Sequence, residues 1–126
     1  FRSSAASDVY KRQVDTRAVV DLEVNGKQLV GVGDGNGPVN AIDTALRSVL
    51  IDTYPELEQI FLVDYKVRVL DTEKGTGAVT RVLLDSSNGE ETWTTIGVSE
   101  NIIEASWQAL VDSIVYGLLR ARAEQN

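Results

Sequence analysis

The second half of the chain shows the alternation of apolar and polar residues that is typical of β-strands with one buried face. In residues 60–70 apolar side chains alternate with charged ones, so that Tyr65, Val67 and Val69 form one face. This pattern predicts a half-buried strand. Two further stretches, rich in β-branched and aromatic residues, are also predicted to be strands: 78–85 and 92–97.

A helical pattern follows these strands. Ser99 is the predicted N-cap, and Glu100 falls in the first turn, where the helix dipole favours an anion. Apolar residues then recur at helical spacing, which predicts one buried face: Ile102, Ala105, Ala109, Ile114 and Leu118. The first half predicts the same order of elements: strands 16–24 and 28–33, then a helix 38–53.

An internal repeat becomes visible when the sequence is shifted against itself by 64 positions. Several pairs then coincide: Thr16 with Thr80, Gly33 with Gly97, Ala41 with Ala105, and Ala45 with Ala109. The chain is therefore predicted to be two βββα repeats, about 14–55 and 56–123. The fold class is α+β, with helices packed on one face of the sheets. The first strand of repeat 1 is missing from its expected place, so an open sheet edge is expected there.

The N-terminal segment 1–13 lacks both helical and strand periodicity. Residues 3–13 look like the translated end of a sequencing adapter, and a disordered native N-terminus is the alternative interpretation. We expect this segment to be non-native or disordered, and residues 14–126 to form the domain and to be the C-terminal part of a longer protein.

The composition excludes several kinds of chemistry. The chain contains neither Cys nor His, which removes disulfides, thiolate nucleophiles and the commonest general base. It carries 12 Lys and Arg against 19 Asp and Glu, a net charge of −7, which is unfavourable for nucleic-acid binding. No apolar run approaches the roughly 20 residues that span a bilayer. We expect a cytoplasmic protein with no cofactor, no metal, no nucleic-acid partner and no membrane partner.

The glycine-rich segment 31–38 (GVGDGNGP) is the most conspicuous candidate for ligand binding. Its spacing does not match GxGxxG, and it lacks the Lys-Ser/Thr of a P-loop. Two interpretations remain open: a tight strand-to-helix connection that needs positive φ at several glycines, and an anion-binding loop at a helix start. Asp64 and Tyr65 offer a carboxylate and a phenol, although packing and solvation are the favoured interpretation of such a pair taken alone.

Three stretches resemble a known family: 33–47 (GDGNGPVNAIDTALR), 54–70 (YPELEQIFLVDYKVRVL) and 92–114 (TWTTIGVSENIIEASWQALVDSI). They are similar to the C-terminal regulatory domain of the 2-isopropylmalate synthase and citramalate synthase family, closer to the citramalate branch. The resemblance implies a dimerising domain that binds an end-product amino acid, isoleucine or leucine, and inhibits the catalytic barrel of its parent chain. It also implies the effector-binding residues: Gly35, Gly37, Val39, Asn40, Leu62, Tyr65, Val69, Thr76, Val79, Glu100 and Ile102.

The position of Glu100 departs from the family pattern, because some relatives have a proline there. The metal-binding and acid–base residues of the family lie in its barrel, so no catalytic residue is expected in this chain. Two other functions are compatible with the sequence. One is a dimerisation module with no ligand. The other is a small enzyme, for which Asp64 and Tyr65 are the only candidate acid–base pair.

Overall fold

Strands followed by a helix occur twice along the chain and divide it into two units, residues 1–53 and 54–126. A computed structural model describes residues 2–3, 8–12, 15–71 and 78–124. Each unit is an antiparallel sheet with one helix on one of its faces. The α+β class and the βββα order are therefore confirmed.

Unit 1 is built around its longest strand. Its elements are β1 (Arg2–Ser3), β2 (Asp8–Arg12), β3 (Asp15–Val24), β4 (Lys27–Gly35) and α1 (Pro38–Leu50). β4 pairs with one edge of β3 from Thr16 opposite Gly35 to Val24 opposite Lys27. β1 and β2 pair with the other edge of β3, the edge that was expected to be open. Backbone from the N-terminal segment thus satisfies hydrogen-bonding groups that would otherwise stay unpaired. Whether that segment is native stays a prediction.

The core of unit 1 lies between the sheet and α1. Every second side chain of β3 is fully buried there, including Ala18, Val20 and Leu22. They meet the apolar stripe of α1: Val39, Ala41, Ile42, Ala45, Leu46, Val49 and Leu50. The helix ends at Leu50, three residues earlier than predicted, and a turn leads to Pro55. The residue before a proline disfavours helical backbone, so the helix cannot continue through Tyr54.

Unit 2 has the same order of elements. A 3₁₀ helix (Pro55–Gln59) precedes β5 (Phe61–Asp71), β6 (Ala78–Ser87), β7 (Thr92–Ser99) and α2 (Ile102–Glu124). The strands lie in the order β5-β6-β7, all antiparallel, with a bulge in β5 between Leu62 and Asp64. Val82 and Leu84 of β6 and Trp93 of β7 are buried against α2.

A buried polar network joins α2 to the sheet. The hydroxyls of Ser86 and Ser113 are 2.5 Å apart. The indole N–H of Trp93 donates to the carbonyl oxygen of Ser113 at 3.1 Å. Both serines are nearly inaccessible to solvent. Buried hydroxyls need a hydrogen-bond partner, and each of these two has the other.

β5 departs from the prediction of a half-buried strand. Tyr65, Val67 and Val69 do share the helix-side face, since Val67 pairs with the buried Val82. However, Val69 is 65% exposed and Val67 38% exposed. The helix α2 packs on β6 and β7 rather than on β5, which leaves these side chains uncovered in the single chain.

The helix α2 is long and apolar enough to cross a membrane by length and composition alone. However, 44% of its most apolar window is buried inside the structure. One face of the helix packs on β6 and β7, as in the core helix of a soluble protein.

Candidate functional site

The glycine-rich segment brings a strand unusually close to a helix. Gly31, Gly33 and Gly35 alternate along β4, and a Cβ on any of them would overlap atoms of α1. For Gly33 these atoms include the carbonyl oxygen of Ala41, 2.7 Å from the Cβ position. None of the three has positive φ; among the described glycines only Gly26 and Gly89 do. The prediction of a connection with several positive-φ glycines is therefore wrong, because close approach is what requires glycine here.

The N-terminus of α1 is the part of this segment that can meet a ligand. Gly37 is the N-cap, in extended conformation at φ −175°, and no side chain caps the helix. A Cβ on Gly37 would meet nothing within 4 Å. Pro38, at the first helical position, has no N–H, so the amides of Val39 and Asn40 are the donors at this end. No acidic residue lies in the first turn. The positive end of the helix dipole is therefore unopposed by a carboxylate of the helix itself.

The four unit-1 candidates surround this helix start in different ways. Gly35 ends β4, and its Cβ position is 2.6 Å from the amide nitrogen of Ala41. Val39 is only 1% exposed, so its amide rather than its side chain is available. Asn40 is half-buried, and its carbonyl oxygen accepts a hydrogen bond from the Thr44 hydroxyl at 2.9 Å.

The N-terminus of α2 differs from its repeat equivalent because it is capped. The Asn101 side chain accepts a hydrogen bond from the amide of Ile103 at 2.8 Å, and its carbonyl accepts the first helical bond from Ala105. Asn101 is therefore the N-cap, and the prediction of Ser99 is two residues too early. Ser99 instead accepts a hydrogen bond from the amide of Asn101 at 3.2 Å. An Asn immediately before an apolar helical run is the signal that could have located the cap.

The two candidates at this helix start occupy different environments. Glu100 is exposed and precedes the helix instead of lying in its first turn. Ile102 is the first helical residue and is half-buried.

The strand candidates of unit 2 do not all lie together. Val69 pairs with Thr80, and Thr80 pairs with Ser99, the last residue of β7. Val69 therefore lies at the end of the sheet from which the chain enters α2. Tyr65 is on the same face, opposite Leu84. Leu62 lies seven residues along the strand from Val69, about 20 Å away at strand geometry.

The remaining two candidates lie elsewhere. Val79 pairs with Leu70 and therefore lies on the opposite face of the sheet from Val69. Thr76 is outside the described residues.

Asp64 and Tyr65 do not form one reactive pair. After the bulge, Asp64 lies opposite Asp85, whose side chain is on the face away from α2, while Tyr65 lies on the helix-side face. The carboxylate of Asp64 accepts a hydrogen bond from the amide of Tyr65 at 2.8 Å. The two side chains thus point to opposite sides of the sheet.

Among the described residues, no group of three or more Asp and Glu side chains is placed to hold a metal ion. A cavity of about 80 Å³ in unit 2 lies beside Glu56, Ile60 and Gly117. Ligand pockets for small molecules usually enclose about 300–1,000 Å³, so this cavity is too small to hold an amino acid.

One carboxylate of α1 has a perturbed pKa. Burial raises the pKa of Asp43 above its ordinary value, and the guanidinium of Arg47, 3.1 Å away, acts in the opposite direction. The pair lies one turn beyond the helix start and adds no acid to the first turn itself.

Comparison with known proteins agrees with this architecture. A family model described as the LeuA allosteric (dimerisation) domain matches residues 5–118. An (R)-citramalate synthase from Synechocystis is 55% identical over 101 residues, 80% of this chain and 18% of that protein. One from Aquifex aeolicus is 47% identical over 120 residues, 92% of this chain and 23% of that protein. A 2-isopropylmalate synthase from Shewanella sediminis is 29% identical over 94 residues, 75% of this chain and 16% of that protein.

The chain therefore spans about a fifth of the length of these citramalate synthases. The family model covers both βββα units, and the sequence likeness to proteins named citramalate synthase exceeds the likeness to the 2-isopropylmalate synthase. The chain belongs to the LeuA allosteric (dimerisation) domain family.

Proposed function

We propose that this domain binds a branched-chain amino acid, isoleucine, and thereby mediates feedback inhibition of a parent citramalate synthase. The parent is an acyl-CoA-dependent transferase of the cytoplasm, and the domain associates with a second copy of itself. The relatives named (R)-citramalate synthase support isoleucine over leucine, because isoleucine is the effector expected for that branch.

The observation that carries the proposal is the uncapped N-terminus of α1. Two amides, those of Val39 and Asn40, stand at a helix start with no side-chain cap and no acidic residue in the first turn. The space beside Gly37 is open. A carboxylate is the ligand group that such a helix end attracts, through hydrogen bonds and through the helix dipole together.

Unit 2, taken by itself, offers apolar surface at two of its candidate residues. Val69 is uncovered, and Ile102 is half-buried at the start of α2, next to the same row of the sheet. A branched aliphatic side chain gains free energy by removing such surfaces from water. A ligand that binds one arrangement of the parent enzyme better than another then shifts its population, typically with a coupling of about 1–3 kcal/mol.

Calorimetric titration of the 126-residue chain with isoleucine, leucine and valine tests the proposal. We expect heat of binding with isoleucine and weaker binding of the other two. We also expect about 2.7 kcal/mol of added stability at 100-fold ligand excess over Kd. Absence of heat and of a thermal shift with all three amino acids would contradict the sensor function and favour a ligand-free dimerisation module.

A variant at the helix start sharpens the test. Gly37→Val places a side chain in the open space where the carboxylate would bind, in an extended conformation that valine adopts. We expect it to abolish binding while the domain stays folded. Thr53→Val, in the exposed turn after α1, is the matched control and should bind isoleucine like the unchanged chain.

A further inference from the structure

Asparagine followed by glycine occurs three times in the chain, at residues 25–26, 36–37 and 88–89. Asparagine is a thermally labile residue, because the backbone nitrogen of the next residue can attack its side-chain carbonyl carbon and displace ammonia. Glycine hinders this attack least, since it has no Cβ. The three pairs therefore share the same local chemistry, and the structure around each pair decides whether it can react.

The pair at residues 25–26 is held in an unreactive conformation. Asn25 has φ 51°, in the left-handed region, where ψ is typically about +47°. At that ψ the Cβ lies nearly opposite the next backbone nitrogen about the Cα–C bond, so the side chain points away from it. Val24 and Lys27 pair in the ladder of β3 and β4 on either side of this turn. A rotation that brought the Asn25 side chain to the Gly26 nitrogen would break that pairing.

The pair at residues 88–89 is protected by hydrogen bonds. The side-chain oxygen of Asn88 accepts hydrogen bonds from the amides of Glu90 and Glu91, at 3.0 and 2.8 Å. The amide of Gly89, which contains the attacking nitrogen, donates to the Ser87 hydroxyl at 3.0 Å. An attack on the Asn88 side chain would require these hydrogen bonds to break, so we expect Asn88 to keep its amide.

The pair Asn36–Gly37 has neither restraint. Asn36 is exposed, directly follows the end of β4 and does not have a positive φ. Within the described part of the chain, neither the Asn36 side chain nor the Gly37 amide takes part in a hydrogen bond. The space beside Gly37 is open, since a Cβ there would meet nothing within 4 Å. This pair thus combines a free nucleophile, an exposed carbonyl carbon and room for a ring.

We propose that Asn36 is a site of spontaneous deamidation, at which its side-chain amide becomes a carboxylate beside the N-terminus of α1. The Gly37 nitrogen bonds to Cγ of Asn36 as the bond from Cγ to the side-chain nitrogen breaks. That nitrogen takes the proton of the Gly37 amide and leaves as ammonia, and a succinimide ring remains. Water then hydrolyses the ring at either of its carbonyl carbons, which yields aspartate or isoaspartate without any change in oxidation state.

The new carboxylate changes the charge at the start of α1, where no acidic residue lies in the first turn. It competes for the amides of Val39 and Asn40 and repels a second carboxylate, so a deamidated chain binds an amino acid more weakly. Isoaspartate also lengthens the main chain just after Gly35, whose Cβ position is 2.6 Å from the amide nitrogen of Ala41. This consequence rests on the proposed function, whereas the modification itself does not.

Digestion with trypsin separates the three pairs, because cleavage after Lys and Arg places them in the peptides 18–27, 28–47 and 82–120. The folded 126-residue chain is incubated at neutral pH, and mass spectrometry follows the deamidated fraction of each peptide. We expect peptide 28–47 to react at least about tenfold faster than the other two, since attack at the others must first break native hydrogen bonds.

Fragment ions distinguish the two asparagines of peptide 28–47. Asn40 is followed by Ala41, whose amide donates to the carbonyl oxygen of Gly37 at 3.0 Å and is therefore not free to attack. The modification should appear at Asn36. Both aspartate and isoaspartate should be found there, because water opens the ring on either side.

The same chain unfolded in urea is the matched control, because without structure the three pairs should react at similar rates. Gly37→Ala adds a methyl group to the attacking residue, in open space where the fold tolerates it. We expect this variant to slow deamidation of Asn36 several-fold. Circular dichroism reports whether the incubated samples stay folded.

The effect on ligand binding is measured with Asn36→Asp, which has the charge of the deamidated chain. Calorimetric titration should show a Kd for isoleucine several-fold higher than that of the unchanged chain. Asn25→Asp makes the same charge change in the exposed turn between β3 and β4, and should bind isoleucine like the unchanged chain.

Each part of the proposal has a result that would overturn it. Equal rates for the three peptides in the folded chain, or no reaction at Asn36 while the unfolded chain reacts, would mean that the structure does not select this pair. Aspartate without isoaspartate would mean direct hydrolysis rather than ring closure. Equal isoleucine binding by Asn36→Asp and the unchanged chain would refute the effect on the ligand. An unchanged chain that does not bind isoleucine would refute the sensor function alone, because the peptide masses still decide the modification.

Discussion

Gly97 of β7 lies against the backbone of Ala105 in α2, so closely that a Cβ on the glycine would overlap the alanine carbonyl oxygen. The position of this missing side chain is also 3.0 Å from the amide nitrogen of Ala109. Gly33 stands in the same relation to Ala41 and Ala45 in unit 1. The interval of 64 residues thus preserves one strand-to-helix contact in both units.

Gly97→Ala should therefore lower the free energy of unfolding by about 3 kcal/mol, the upper end of the range for overpacked cores, because backbone atoms cannot rotate away. Urea denaturation measures the change. Gly37→Ala is the matched control, since its Cβ would enter open space, and should cost less than about 1 kcal/mol. Equal costs for the two variants would show that the close approach is not what selects glycine.

Ser113→Ala should destabilise the domain by about 1–3 kcal/mol, because it leaves the buried hydroxyl of Ser86 without a partner. The double variant Ser86→Ala with Ser113→Ala removes both hydroxyls and should cost clearly less than the two single variants added together. A double-mutant cycle in urea measures this coupling. Additive costs would mean that the two hydroxyls do not depend on each other.

Asn101→Ala should lower the free energy of unfolding by about 1 kcal/mol. The Asn101 side chain is the N-cap of α2 and accepts a hydrogen bond from the amide of Ile103. Ser99→Ala removes a weaker bond outside the helix, at 3.2 Å, and should cost less. Thermal denaturation of the two variants side by side checks the order. A larger loss for the Ser99 variant would move the cap to the position that the sequence analysis predicted.

Glu91 should make the free energy of unfolding depend on pH in the acidic range. Hydrogen bonds from the Tyr116 hydroxyl and from Arg120, both 2.8 Å long, lower the pKa of Glu91 below its ordinary value of 4.5. The stabilisation is therefore present above about pH 4.5 and is lost as the pH falls further. Urea midpoints from pH 7 to pH 3 should converge between the unchanged chain and Glu91→Gln. Glu90→Gln, at the exposed neighbour, should follow the unchanged chain throughout.

Asp43 should give the free energy of unfolding a pH dependence of opposite sign to that of Glu91. Burial raises the pKa of Asp43 above its ordinary value of 3.8, although Arg47 opposes the change. Its contribution to stability is fully present below pH 3.8 and is lost as the pH rises through the raised pKa. The stability of the unchanged chain relative to Asp43→Asn should therefore fall between pH 3 and pH 6. A difference that grows over this range would show that the ion pair dominates over burial.

Periodicity predicted the elements because each one buries a single face. Strands β3 to β7 and helix α1 lie within a few residues of their predicted positions, whereas β1 and β2 were not predicted. The repeat predicted the equivalence of Gly33 and Gly97, which the packing confirms. Boundaries were less predictable, because a cap depends on which of several polar side chains turns toward the free amides.

The candidate site was harder to predict than the fold. Alternation showed which face Val67 and Val69 share, but it could not show that α2 stops short of β5 and leaves them uncovered. The glycine spacing suggested a loop. In the structure β4 continues to Gly35, and its glycines allow α1 to pack closely against the strand. The sequence pattern of one element shows which residues share a face. Only the packed structure shows which other element covers that face.

The backbone of each helix packs directly against strand glycines, and this close packing restricts how the helix can move. A helix held by side chains can slide when those side chains change rotamers, but α1 and α2 rest on strand glycines that have no rotamers to change. Sliding either helix by one residue would drive a main-chain carbonyl into the strand. The helix and the sheet of each unit must therefore move as one body.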